Sequence, residues 1–296
     1  MTDSLSDGAV GERPLTPGLG VELLGVDLAD MSDGQAAAVR GAFERHGAIL
    51  VRDQKLGPDD LVGFSRRFGA LDEAPLMENG RTAVPGYPEI YVVSNVLGAD
   101  GKPIGSLGSG EAVWHTDMSY LPAPPRASLL YSLEVPPAGG DTWLCSMAAA
   151  LEALPADLRK ALDGRMIKHD GTYNSGGYVR AGVRVDDDPA TCEGQPHPAI
   201  CRHPAGGPDV LYLGRRRNAY VVGLPLAESE ALLDRAWEYA CLPENTYKHR
   251  WRVGDVLMWD NRVTMHRRDP FDGTARRVMH RTQIQGAEPP LPAAAA

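Results

Sequence analysis

Two periods alternate along the chain, and their order predicts a β-rich fold with helices set into it. Residues 20–28 alternate apolar and polar positions, as a half-buried strand does. Ser32 then offers a hydroxyl to cap a helix over 35–45, which stops at His46-Gly47. The apolar run 48–51 lies between Gly47 and Asp53 and reads as a buried strand. Pro58, with Asp59 and Asp60 in the first turn, opens a second helix that runs to Phe68-Gly69. Beyond it, β-rich runs follow at 89–96, 127–135 and 142–147, and the glycine-rich loop 105–110 separates the first two. Helix-like stretches at 147–162 and 226–241 interrupt this series, which ends on strands at 255–259 and 277–285.

Many short strands with inserted helices predict a mainly β, jelly-roll-like double sheet. Neither an internal repeat nor an interdomain linker is visible, so residues 18–286 read as a single domain. A flexible N-terminal arm (1–17) and a flexible tail (287–296) flank it, and 173–207 reads as one long loop rich in Gly, Asp and Pro. The net charge of -9 lacks the basic footprint of a nucleic-acid binder. No apolar run is long enough for a membrane span, and the N-terminus carries no apolar leader. The expectation is a cytoplasmic protein with neither nucleic-acid nor membrane partners. Cys145, Cys192, Cys201 and Cys241 are scattered without a C-x-x-C pair, which argues against a zinc ribbon or a disulfide framework.

Three constellations carry chemistry. In Trp114-His115-Thr116-Asp117, a strand would place His115 and Asp117 on one face, close enough to share a metal; a hydrogen-bonded surface pair is the plainer alternative. His266, at the end of the segment 256–266, would add a second imidazole from far along the chain. Two His and one carboxylate make up the facial triad of non-haem iron(II) oxygenases. Taken alone, His266 is equally a histidine held by backbone at a strand end. In Arg276-Arg277-Val278-Met279-His280-Arg281, strand alternation puts Arg277 and Arg281 on one face, able to hold two anions by bidentate forks, and turns His280 away. Ordinary surface ion pairs are the commoner fate of such arginines.

Trp-His-Thr-Asp, then Gly139-Gly140-Asp141-Thr142, then Trp259 to His266 and Arg276 to Arg281, resemble the taurine dioxygenase (TauD/TfdA) family in order and spacing. The similarity runs from about Gly18 to Gly286 and takes in Phe64-Ser65-Arg66-Arg67-Phe68-Gly69. The resemblance implies a double-stranded β-helix core, Fe(II) as cofactor, and 2-oxoglutarate and O2 as cosubstrates. It implies that His115, Asp117 and His266 bind iron, that Thr142 and Arg277 hold the distal carboxylate of 2-oxoglutarate, and that Arg281 meets the acidic group of a small anionic substrate. Succinate and CO2 would be released as an unactivated C–H is hydroxylated. Family-like halogenases lack the carboxylate that Asp117 supplies, so hydroxylation is expected. Ala74 stands where taurine-oxidising members carry His, and Glu111 replaces an amide near the substrate's acidic end, so taurine itself is not expected. Arg215-Arg216-Arg217 reads as a solvated basic loop or subunit contact, or as the source of a second cation beside Arg281. Assembly as a homodimer or homotetramer is expected from the resemblance. The competing classes are a jelly-roll hydrolase or isomerase using another metal, and a non-catalytic ligand-binding protein on the same scaffold.

Overall fold

The computed structural model describes residues 9–74, 83–186 and 188–294. Its elements in chain order are β1 (Gly11–Thr16), β2 (Leu19–Leu24), α1 (Asp33–His46), β3 (Ala48–Val51), α2 (Pro58–Arg66), β4 (Ala83–Val84), β5 (Tyr87–Ser94), β6 (Ser106–Leu107), β7 (Ala112–His115) and β8 (Ala127–Glu134). There follow β9 (Thr142–Ser146), α3 (Met147–Ala153), α4 (Ala156–Leu162), β10 (Met166–Asp170), β11 (Gly194–Pro198), β12 (Ile200–Cys201), β13 (Val210–Leu211) and β14 (Tyr220–Val221). The chain closes with α5 (Leu226–Ala240), β15 (Thr246–His249), β16 (Val256–Asp260), β17 (Thr264–Arg268) and β18 (Val278–Ile284).

Local chemistry sets the helix ends. The Ser32 hydroxyl accepts from the backbone of Gln35, whose side chain accepts from the Ser32 N–H, a reciprocal capping box. Gly47 ends α1 at φ 67°, and a Cβ there would lie 2.9 Å from Val263. The predicted helix over 147–162 is two helices, because Pro155 has no N–H to donate and forces Leu154 into an extended conformation.

Two sheets and a helical layer surround the site. The large sheet runs β1-β2-β3-β16-β8-β18-β5-β4, with β6 on the side of β5, and the small sheet runs β15-β9-β17-β7. Side-chain alternation sorts its central strands. Ile49, Val51, Leu129, Tyr131, Val256 and Met258 pack outward under α1 and α2. Leu50, Leu130, Leu257, Trp259 and Met279 point inward and meet Leu144 of the small sheet. A further core packs α3, α4 and α5 against β10, β13 and β14. This is the mainly β, jelly-roll architecture with inserted helices that the strand pattern predicts.

The chain ends depart from expectation. Residues 11–16 of the expected arm form β1, paired antiparallel to β2 and fixed by an Arg13–Glu22 ion pair. The backbone of Leu291 and Ala293, in the expected tail, bonds to Arg202 and Ile200, next to β12. Within 173–207, read as a single loop, β11 pairs with β10 and β12 with β13. Polar and proline-rich composition hides β1 and β11, each of which lies at the edge of its sheet, and β12 is too short to read.

Candidate metal centre and cavity

The centre is assembled by strand register. His115 ends β7 and His266 lies in β17; the two are register partners, and their ring centroids stand 4.1 Å apart. Asp117 is not on the strand, which stops at His115. The Thr116 N–H bonds to the Gly214 carbonyl, and a turn through Met118 (φ 47°) carries the carboxylate back. Asp117 Oδ1 lies 3.5 Å from His115 Nε2, and Oδ2 lies 3.8 Å from His266 Nε2. All three donors fall within 4.8 Å of one another, the only such group among the described residues.

Protonation suits a cation. His115 Nδ1–H donates to the Val113 carbonyl at 2.7 Å, which fixes the ring with Nε2 toward Asp117. Burial, with His115 beside it, lowers the His266 pKa to about 3, so the imidazole is neutral. Burial opposes ionisation of Asp117, but Arg281, His266 and His115 outweigh it and hold the carboxyl well below its usual range. A neutral His266, an ionised Asp117 and the half-buried His115 imidazole, crowded together, fit a divalent metal.

Residues that the sequence did not mark orient this carboxylate. The Ser128 hydroxyl, on the inner face of β8, donates to Asp117 Oδ2 at 2.6 Å. It accepts from Asn261 Nδ2 and Gln283 Nε2, each at 3.1 Å. Asn261 also accepts from Trp259 Nε1 at 3.0 Å, and the Trp259 ring lies 4.6 Å from that of His266. A Ser within a largely apolar strand gives no signal of this role. The segment Trp259-Asp260-Asn261 does give one, because it is unusually polar for a strand end.

Thr142 and Arg277 are both buried, and neither is on the cavity lining. The Thr142 hydroxyl accepts from Trp251 Nε1 at 3.0 Å, which leaves its own proton to donate. No carboxylate pairs with Arg277 among the described residues, and its Nε has no partner. Burial first, then Arg268, lowers its pKa to about 9, so it stays cationic at neutral pH. Arg268, also unmarked in the sequence, donates to the carbonyls of Leu107 and Gly110 and pins the glycine-rich loop.

A cavity of about 1140 Å3 opens on the centre and is lined by His115, Asp117 and Arg281 among others. Arg281 Nη1 lies 3.6 Å from Asp117 Oδ1, and its buried Nε has no partner. Glu111, expected near the substrate's acidic end, is instead absent from that lining, its side chain is 54% exposed, and it faces Arg267 at 3.7 Å. The position precedes β7 on the side turned to solvent, so it meets neither Arg281 nor the cavity. The basic triplet is also accounted for. Arg215 pairs with buried Asp170 at 2.6 Å, Arg216 pairs with Glu230 and Asp234, and Arg217 stacks on Tyr173. Arg215 lines the cavity, but Asp170 neutralises it. Ala74 packs against the inner core; Pro75 lies outside the described residues.

Two imidazoles and one carboxylate gathered at the mouth of a jelly-roll cavity are the donor set of a mononuclear non-haem iron oxygenase. Comparison with known proteins narrows that class. The profile of the taurine catabolism dioxygenase TauD, TfdA family matches residues 12–283, and the chain belongs to that family. It is 33% identical over 284 residues to the alpha-ketoglutarate-dependent 2,4-dichlorophenoxyacetate dioxygenase of Cupriavidus pinatubonensis, covering 92% of this chain and 96% of that one. It is 31% identical to the alpha-ketoglutarate-dependent sulfate ester dioxygenase of Pseudomonas putida, over 94% of this chain and 90% of the other. The crystal structure of a putative alpha-ketoglutarate-dependent taurine dioxygenase from Burkholderia xenovorans superposes with a TM-score of 0.77 at 31% identity, covering 95% and 91% of the two chains. No helix among the described residues is long and apolar enough to cross a membrane.

Proposed function

We propose that this chain is an Fe(II)- and 2-oxoglutarate-dependent dioxygenase that hydroxylates an unactivated C–H of a small anionic substrate, releasing succinate and CO2. The observation that carries the reading is the His115–Asp117–His266 group with the Arg281 guanidinium 3.6 Å from its carboxylate, at the wall of a cavity. His115, Asp117 and His266 would hold the metal beside the cavity that admits cosubstrate and substrate. Bound there, iron and 2-oxoglutarate supply the oxidising chemistry that no protein side chain possesses.

The chain's own residues bind and orient. Arg277 and the Thr142 hydroxyl hold the distal carboxylate of 2-oxoglutarate, a charge-assisted pairing that gives the buried guanidinium the anion it lacks. Arg281 anchors the substrate's acidic group, so that the rest of the molecule is held against the metal. Ser128, Asn261 and Gln283 fix the Asp117 carboxylate in place. A hydrolase or isomerase would leave Arg277 and Arg281 without a common purpose. The test is succinate formation with Fe(II), ascorbate and 2-oxoglutarate across a panel of carboxylates, sulfonates, sulfate esters and phosphate esters. Stimulation by at least one of them supports the reading; 2-oxoglutarate left intact under every condition removes it.

A further inference from the structure

Arg180 is a basic side chain of the cavity wall that no carboxylate pairs with among the described residues. The chain doubles back before it: Tyr173 bridges Val179, and the Arg180 N–H bonds to the Thr172 carbonyl at 2.9 Å. Its guanidinium carbon lies 3.9 Å from the centroid of the Tyr120 ring, which holds the group flat against the wall, and its buried Nε has no partner.

Two of the three acids that line the cavity are engaged elsewhere. Asp170 takes Arg215 at 2.6 Å and the backbone N–H groups of Thr172 and Tyr173. Asp117 belongs to the metal centre and faces Arg281. Glu193, the remaining lining acid, is exposed and forms no ion pair among the described residues. Burial lowers the Arg180 pKa, opposed by Tyr120, Asp170 and Asp117. A guanidinium partly withdrawn from water without a counter-ion is costly, and an anion in the cavity relieves that cost.

We propose that Arg180 is a specificity-determining residue that takes a second acidic group of the substrate, so that the preferred substrate is anionic at both ends. Arg281 holds one end and Arg180 the other. This rests on the reading above for Arg281 and deepens it by naming the substrate class. The second group is a carboxylate, sulfonate, sulfate or phosphate, all of which a guanidinium fork accepts. A cavity of about 1140 Å3 has room for an apolar body between the two ends, against Leu97, Met118 and Val179.

The experiment uses the full chain with Mn(II) and saturating 2-oxoglutarate, the latter so that acidic probes cannot occupy the cosubstrate site. Linear α,ω-dicarboxylates of increasing length, and the monocarboxylate matched to each, are titrated calorimetrically. At least one dicarboxylate should bind about tenfold or more tightly than its monocarboxylate, the increment of one charge-assisted contact. Arg180→Gln should abolish that advantage while monocarboxylate and 2-oxoglutarate affinities stay within about twofold, and Arg180→Lys should keep part of it. No advantage at any length, or equal losses for both series in Arg180→Gln, overturns the proposal. The same pairs are then run with Fe(II) for succinate. An Arg180-dependent dicarboxylate preference without succinate would sink the dioxygenase reading and leave this assignment standing. Succinate formed equally from both series, in wild type and variant, would do the reverse.

Discussion

His115 and His266 face one another as register partners across the antiparallel pair β7–β17, with ring centroids 4.1 Å apart. A strand slip of one residue would turn one imidazole to the opposite face. The small sheet therefore sets the metal centre before any metal binds. Asp117 completes it from the turn beyond β7.

Each of the three donors should be needed for the metal. Replacing His115, Asp117 or His266 singly by Ala should weaken Mn(II) or anaerobic Fe(II) binding at least about tenfold in calorimetry, more than is typical for loss of an outer partner's hydrogen bond at the low end of its range. Full affinity in all three variants would remove the assignment.

Ser128 gives a subtler test. Its hydroxyl donates to Asp117 and is itself held by Asn261 and Gln283. Ser128→Ala should lower metal affinity or turnover about 10–100-fold while the thermal midpoint changes little, because the residue supports a ligand without being one. Wild-type behaviour would show that packing alone holds the carboxylate.

Much of this site was legible because its chemistry needs rare residue types at fixed separations. His115, Asp117 and His266 announce themselves in that way; of the two arginines marked with them, Arg281 lies on β18 at the cavity wall, whereas Arg277 precedes the strand and is off the lining. Other parts were hidden for physical reasons. Ser128 is one small polar residue among Ala127, Leu129 and Leu130, and only the three-dimensional register aims it at Asp117. Arg180 sits in a segment whose Gly, Asp and Pro content reads as loop, and only the folded chain sets it at the cavity wall. Glu111, set near the substrate's acidic end by the resemblance, instead faces Arg267 at the surface, since a matching position does not fix where a changed side chain points. For the fold, the buried central strands were readable from their apolar runs, whereas β1 and β11 bury too little to show.

Acid should loosen the fold through a second histidine pair. His169 is buried between Tyr212 and His197, with ring centroids 5.2 Å from each. Burial first, then His197, holds its pKa well below the usual value, and burial lowers that of His197 too. Both are neutral in the fold and free to take up protons when unfolded. Their contribution to stability is complete above the unfolded pKa of about 6.5 and is lost as pH falls toward the folded values. The thermal midpoint should drop between neutral pH and about pH 5. His169→Leu should flatten that slope; an unchanged slope would assign the loss to carboxylates.

Arg277→Ala should raise the 2-oxoglutarate requirement by at least about tenfold and leave metal binding within about twofold, since a buried guanidinium and its anion are worth several kcal/mol when one partner is removed. Steady-state kinetics in 2-oxoglutarate, with Mn(II) calorimetry beside them, read both effects. An unchanged apparent affinity would pass the role to Arg268, the other buried guanidinium nearby.

Arg281 should govern how tightly cosubstrate consumption is tied to substrate oxidation. Its guanidinium lies at the cavity wall beside Asp117, with a buried Nε that has no partner. Glu111, four residues before His115, points at Arg267 and not at Arg281. With that anchor gone, the substrate binds weakly and its C–H is no longer held at the metal. Arg281→Ala should therefore lower kcat/KM for an acidic substrate by at least about thirtyfold, in line with truncation of a desolvated charge pair. The 2-oxoglutarate KM should move by less than about twofold, because Arg277 is untouched. Succinate formed per hydroxylated product should rise. That ratio is the decisive readout: both products come only from metal-loaded enzyme, so a variant that merely lost metal through the altered surroundings of Asp117 would keep the wild-type ratio. A ratio that stays fixed while kcat/KM falls would assign Arg281 to the carboxylate rather than to the substrate.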